Sequence, residues 1–183
     1  MVINRKWAMP NKETFKIKPI ENLIYKYLKK GINIAEPFAN KGYLSKKHFK
    51  KEKILLWATN DLNPKYKTSC NLEGGKFLKM FDTNGVDLVL YDPPYSPRQL
   101  KECYNDVGIS LTQKDTQAST WSNYKKEISR ITKSGGICIS FGWNSNGIGK
   151  KYGFEILEIL IVAHGGNHND TICVVERKKE TLF

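Results

Sequence analysis

Four consecutive residues, Asp92-Pro93-Pro94-Tyr95, directly follow a continuously apolar run at residues 86–91, and their types suit one task. The run reads as a strand buried on both faces and therefore central in a sheet. Neither proline has an N–H and both have a fixed φ. The turn therefore displays carbonyl oxygens and the Asp92 carboxylate as acceptors with little freedom to move. Two acceptors match the two hydrogens of an exocyclic amino group, whose delocalised lone pair becomes more localised when both are held. Tyr95 adds an aromatic face on which a base taken out of its stack can lie. The plainer reading of these residues is a strand followed by a Pro-Pro turn.

Two earlier segments outline a ligand pocket. In Ala35-Glu36-Pro37-Phe38-Ala39-Asn40-Lys41-Gly42 an acid precedes a tight turn, and Asn40 and Gly42 tolerate left-handed backbone angles close to a ligand. Asp61 ends the next apolar run, where a carboxylate about 20 residues on can accept hydrogen bonds from ribose hydroxyls. Asp61 equally suits a cap before Asn63-Pro64. His164, His168 and Asp170 have the residue types of a metal site. Such short spacings are also common in polar turns, Gly165-Gly166 favours a turn here, and no metal is expected. Trp143, beside Gly142 at a strand end, suits either a target pocket or rim packing. Residues 96–117, with Arg98, Lys101, Tyr104 and Lys114, read as a loop that closes over the site and meets phosphate.

These residues need a scaffold, and the rest of the chain describes one. Residues 33–38 read as a strand, 41–51 as a basic helical stretch, 54–60 as a second strand and 75–81 as a helix. Trp121, Tyr124, Ile128 and Ile131 recur at helical spacing over residues 118–133, and Gly135-Gly136 is expected to end that helix before a strand at 137–141. Strands at 154–164 and 171–176, joined by a Gly/Asn/His turn, form an antiparallel hairpin. The alternation predicts an α/β, doubly wound, mostly parallel sheet closed by a C-terminal hairpin, with ligands beyond the carboxyl ends of its strands.

The 183 residues suit a single domain, and the net charge of +12 from 30 Lys and Arg against 18 Asp and Glu favours a polyanionic partner, hence nucleic acid. No apolar run approaches the ~20 residues of a membrane span, and the first ten residues do not read as a secretory signal, so the expected location is cytoplasmic. Cys70, Cys103, Cys138 and Cys173 form no CxxC pair, which argues for reduced thiols over disulfides or a zinc knuckle.

Together these segments resemble the class I S-adenosylmethionine-dependent amino-methyltransferases, and among them the small phage-type DNA adenine-N6 methyltransferases, over almost the whole chain. Asp92-Pro93-Pro94-Tyr95 matches the family's D-P-P-Y motif, which implies that Asp92 and the Pro93 carbonyl hold the target amine and that Tyr95 stacks on the base. Glu36, Pro37, Phe38, Asn40 and Gly42 resemble the D-P-F-x-G-x-G cofactor loop, with Asn40 replacing the first glycine. The resemblance also places Asp61 on the cofactor ribose, Glu73 near its adenine where aspartate is more usual, and Phe15, Lys18 and Pro19 on an amino-terminal cofactor segment. It implies a Rossmann-like, seven-stranded sheet, S-adenosylmethionine as cofactor, no metal, and no separate target-recognition domain. Arg98, Trp143, His164 and His168 are the candidate substrate contacts. The expected reaction is methyl transfer to N6 of adenine in DNA. RNA, cytosine N4, or an inactive nucleic-acid-binding module are the alternatives.

Overall fold

In the computed structural model the described residues are 1–110 and 118–180, with 118 and 119 placed by backbone alone; Lys114 lies outside the described residues. The elements run β1 (Val2–Trp7), α1 (Lys18–Tyr27), β2 (Asn33–Glu36), α2 (Tyr43–His48), β3 (Leu56–Thr59), α3 (Gly74–Lys79), β4 (Val86–Tyr91), α4 (Pro97–Asn105), α5 (Ala118–Ile131), β5 (Thr132–Gly142), β6 (Phe154–Ala163) and β7 (Thr171–Lys178). All seven strands join one sheet in the order β1-β6-β7-β5-β4-β2-β3. Only β7 runs antiparallel to its neighbours β5 and β6. This is the expected Rossmann-like architecture with an antiparallel C-terminal part.

The sheet is covered on both faces because β4 is apolar on both. Leu88 and Leu90 face a layer that includes Ile20, Leu23 and Ile24 of α1 and Leu44 of α2. Val89 and Tyr91 face Phe77 and Leu78 of α3 and Tyr124, Ile128 and Ile131 of α5. Arg130 ties those two helices together by donating to the carbonyls of Phe81 and Leu78 at 2.8 and 3.3 Å. The order of winding reverses between β2 and β4, which leaves a crevice at their carboxyl ends.

Several sequence expectations are corrected. Gly135 and Gly136 do not end α5. That helix stops at Ile131 and β5 begins at once, with Thr132 opposite Val86 and Ile137 opposite Leu88. The residues between form a bulge, for which Gly135 takes a φ of 74°. Residues 96–117 are not loop throughout, since Ser96 caps α4 by accepting from the Gln99 N–H at 3.2 Å and Pro97 opens the helix. Helix α1 gathers Ile20, Leu23 and Ile24 on one face, spacing that the sequence analysis passed over in favour of a cofactor segment. Strand β1 has no buried side chain and therefore no readable alternation; it is held by its parallel ladder to β6. Among the described residues no helix is long and apolar enough to cross a membrane.

A Cβ at position 136 would lie 2.8 Å from both the Lys133 carbonyl oxygen and the Thr132 methyl group. Gly136→Ala is therefore expected to destabilise the fold by about 1–3 kcal/mol, measured by urea unfolding, as overpacking against backbone does elsewhere.

Candidate active site

Three strand ends carry the candidate residues, and one buried amide fixes how they meet. Asn60, at the end of β3, donates to the carbonyls of Pro37 (3.0 Å) and Leu72 (2.9 Å) and accepts from the Leu72 N–H (2.9 Å). Its carbonyl accepts the Ala39 N–H at 2.7 Å. The Asp61 carboxylate then accepts from the N–H groups of Asn40 and Asn63, both at 2.9 Å. Asp61 thus acts as a loop clasp, and burial pushes its pKa up. Each of its oxygens keeps acceptor capacity for a ribose hydroxyl. Asn40 and Gly42 both take left-handed angles, with φ of 49° and 62°.

Glu36 is fully buried at the end of β2, where one carboxyl oxygen accepts the Trp57 indole N–H at 2.8 Å and the other has no partner. Burial pushes its pKa up to about 8, against the Trp57 hydrogen bond and with the charge of Asp92 adding to the rise. Phe38 lies edge-on to Tyr91 and Tyr124, with ring centroids 5.9 and 5.6 Å away. Gly74 leaves room for it, since a Cβ there would come within 2.7 Å of the ring. Glu73 is committed to α3. Its carboxylate caps the helix by accepting from Gly75 and Lys76 at 2.9 and 3.0 Å and also accepts from the Tyr124 hydroxyl. Glu73 therefore has a capping role in the fold, and these bonds leave one acceptor site of its carboxylate open.

Asp92 leaves β4 directly into the crevice. Its carboxylate accepts hydrogen bonds from the hydroxyls of Tyr95 and Thr14, and burial pushes its pKa up to about 6 against both bonds. Thr14 was not found in the sequence. It stands in a 3-10 turn at Thr14–Lys16, roughly eighty positions before Asp92 and Tyr95 in a chain that offers no local signal for the contact. The motif separates two cavities. A hollow of about 30 Å3 is lined by Thr14, Phe15, Phe38, Asn40, Tyr43 and Asp92. On the other side, a chamber of about 360 Å3 is lined by Pro93, Pro94, Tyr95, Trp121, Trp143 and Asn144, among others. Trp143 meets Tyr95 edge-on at 5.5 Å.

The remaining candidates lie elsewhere. Lys18 and Pro19 belong to the first turn of α1, and Lys18 pairs with Glu21 at 3.2 Å with its side chain 71% exposed. Neither lines the hollow. Arg98 projects from α4, 88% exposed and paired with Glu102 at 3.0 Å. His164 is buried, with both ring nitrogens engaged at 2.8 Å by the Ala8 carbonyl and the Thr171 hydroxyl. It tethers the segment after β1 to the sheet and has no ring nitrogen left for substrate. His168 sits in the exposed turn beyond it. Among the described residues no group of three or more His, Cys, Asp or Glu side chains is placed to hold a metal.

The fold is that of the class I S-adenosylmethionine-dependent methyltransferases. The 1,6-didemethyltoxoflavin-N1-methyltransferase of Burkholderia thailandensis, solved with 1,6-didemethyltoxoflavin and S-adenosylhomocysteine, matches with a TM-score of 0.61 at 10% identity over 89% of this chain and 78% of that one. A SAM-dependent methyltransferase of Methanosarcina mazei matches at 0.56 and 13% identity over 86% and 97%. The [4+2]-cyclase SpnF matches at 0.60 and 11% identity over 94% and 86%. No family model and no curated protein matches the chain.

The Glu36 carboxyl holds its proton to higher pH when folded than when unfolded. Its stabilising contribution is complete below about pH 4.5 and is lost as pH rises towards 8. The ligand-free protein should therefore lose stability between those limits, and Glu36→Gln should flatten that slope. Urea unfolding at pH 5, 6.5 and 8 measures the difference.

Proposed function

We propose that this chain transfers a methyl group from S-adenosylmethionine to the N6 amine of adenine in DNA. The observation that carries the reading is the position of Asp92-Pro93-Pro94-Tyr95 as the partition between two cavities. Since the same fold serves a cyclase, the reading rests on this site and not on fold likeness.

Residues in and around the smaller hollow suit the charged end of the cofactor, although Glu36 and Asp61 lie outside its lining and a hollow of about 30 Å3 must widen to admit more than a water. Glu36 has a fully buried carboxyl oxygen without a partner, and the Asn40 side-chain oxygen is likewise buried and unpartnered. Acceptors left in this state suit a ligand end bearing an ammonium and a sulfonium, and a nearby cation favours the ionised form of Glu36. Phe15 and Phe38 supply apolar surface beside them, and Asp61 has acceptor capacity for a ribose. Bound there, S-adenosylmethionine supplies an electrophilic methyl group and leaves as S-adenosylhomocysteine.

The chamber beyond the motif falls in the range of small-ligand pockets, about 300–1,000 Å3, and its walls include Tyr95, Trp121 and Trp143. A flipped base fits such aromatic walls. Asp92 and the Pro93 carbonyl hold the two amine hydrogens and aim the nitrogen lone pair away from themselves. Positioning of this kind supplies much of the acceleration. The proton that the methylated nitrogen sheds passes to the Asp92 carboxylate. The net charge of +12 draws DNA to the protein through its phosphates.

Incubation with methyl-labelled S-adenosylmethionine and unmethylated DNA, followed by digestion to nucleosides, should place label in N6-methyldeoxyadenosine. Asp92→Ala should lower the rate about 10²–10⁴-fold. Turnover should also fall as pH drops through about 6, where Asp92 takes up its proton and ceases to be a full acceptor. Label in RNA alone would reassign the acceptor, label in cytosine would reassign the base, and cofactor binding without transfer to any polymer would reduce the protein to a binding module.

A further inference from the structure

Strand β1 is an edge strand whose six residues are all exposed, with Val2, Ile3 and Trp7 at 57%, 59% and 65%. Met9, just beyond it, is 67% exposed. Apolar surface of this kind next to cations marks an interaction site more often than it marks decoration. The ladder from Val2 opposite Glu158 to Trp7 opposite Ala163 is parallel, so β1 ends on the same rim of the sheet as Asp92. By strand alternation Ile3, Arg5 and Trp7 share one face and Lys6 takes the other. Neither Arg5 nor Lys6 has an ion-pair partner among the described residues.

Trp7 is turned towards the rim. A Cβ built on Gly165 would lie 3.5 Å from its indole nitrogen, so the ring reaches the turn that joins β6 to β7. Residues 165–169 of that turn are exposed, and Asn167, His168 and Asn169 follow the two glycines in it. The position is fixed from below, where Ala8 donates to the Ala163 carbonyl at 3.1 Å and its own carbonyl meets the buried His164 ring.

We propose that the end of β1 and the 165–169 turn form a second DNA contact on the same rim, remote from the methylation site. DNA laid across the strand edge meets Arg5 with its phosphates on one face and Lys6 on the other, and Trp7 packs against a sugar or base edge on the face it shares with Arg5. This rests on the nucleic-acid reading given above. Four strand steps of about 4.8 Å separate β1 from β4, which sets the contact about 19 Å from the strand that carries Asp92. At 3.4 Å per step along one DNA strand, that is about five or six nucleotides from the target base. The occupant follows from charge. Pairing two copies edge to edge would crowd two sets of Arg5 and Lys6 into one short ladder, on chains that each carry +12. A polyanion meets no such repulsion.

The test is binding of fluorescently labelled duplex DNA by anisotropy across a salt series, for the wild type, Trp7→Ala and the double variant Arg5→Glu with Lys6→Glu. Trp7→Ala should weaken binding about tenfold. The double variant should flatten the dependence of log affinity on log salt by about two, close to 0.9 per lost phosphate contact. Affinity for S-adenosylhomocysteine and the thermal midpoint should stay at wild-type values, because these side chains are exposed and away from the hollow. Moving the target adenine from the centre of the duplex to within three pairs of its end on either side should weaken binding for one direction only. Wild-type binding with unchanged variants would overturn this proposal and leave the methylation reading standing. A wild type that binds no DNA would remove both. A dimer in sedimentation that these substitutions dissolve would assign the edge to a second copy instead.

Discussion

The Asn60 side chain lies almost wholly buried between two segments, and both of its N–H donors and its oxygen are spent on the backbone of Pro37 and Leu72, while its main-chain carbonyl holds the Ala39 N–H. It fixes residues 37–39 against the strand end and residues 70–72 against both. The neighbouring Asp61 carboxylate can then reach the Asn40 N–H, and Phe38 is directed into the gap above Gly74. A side chain without this fork of two donors and one acceptor would leave buried carbonyls unpaired, at about 1–3 kcal/mol each. The crevice at the reversal of strand order is general to such sheets. Its detailed shape here depends on this amide.

The strands, and with them the position of the Asp92–Tyr95 segment at a strand end, were legible where one face or both had to be apolar. Residues 86–91 became β4 without adjustment because burial on both faces leaves an uninterrupted apolar run. What the sequence concealed was of three kinds. β1 buries nothing, so its pairing is carried by backbone groups that every residue possesses. Gly135 and Gly136 carry the same permission for positive φ whether they end a helix or form a bulge, and only the partner strand decides between them. Thr14, Asn60 and the capping by Glu73 depend on contacts between distant segments. For Glu73 a local cue existed, because an acid two and three residues before the N–H groups of a short helix is a cap as readily as a ligand.

The charge distribution of the molecule is divided. The net charge is strongly positive, whereas the crevice holds two carboxyl groups, Glu36 and Asp92, whose ionisation is disfavoured by burial, that of Glu36 also by the charge of Asp92. Ionising both becomes easier only when a cation arrives between the elements that carry them. The positive field of the net charge therefore stops short of the crevice, whose buried carboxyl groups suit a cation.

At rest, the Asp92 carboxylate is already served by two hydroxyls, those of Tyr95 and Thr14. On the methyl-transfer reading proposed above, an incoming amine does not meet a bare acceptor. Where the amine takes the place of a hydroxyl, one hydrogen bond is exchanged for another and little net binding energy results. Recognition of the amine is then expressed in turnover and hardly at all in affinity. A base that lacks the amine leaves the resting bonds intact and can still fill the aromatic chamber. On the same proposed reading, such a base is an occupant that Asp92 does nothing to reject, which opens the site to blockade by non-substrates.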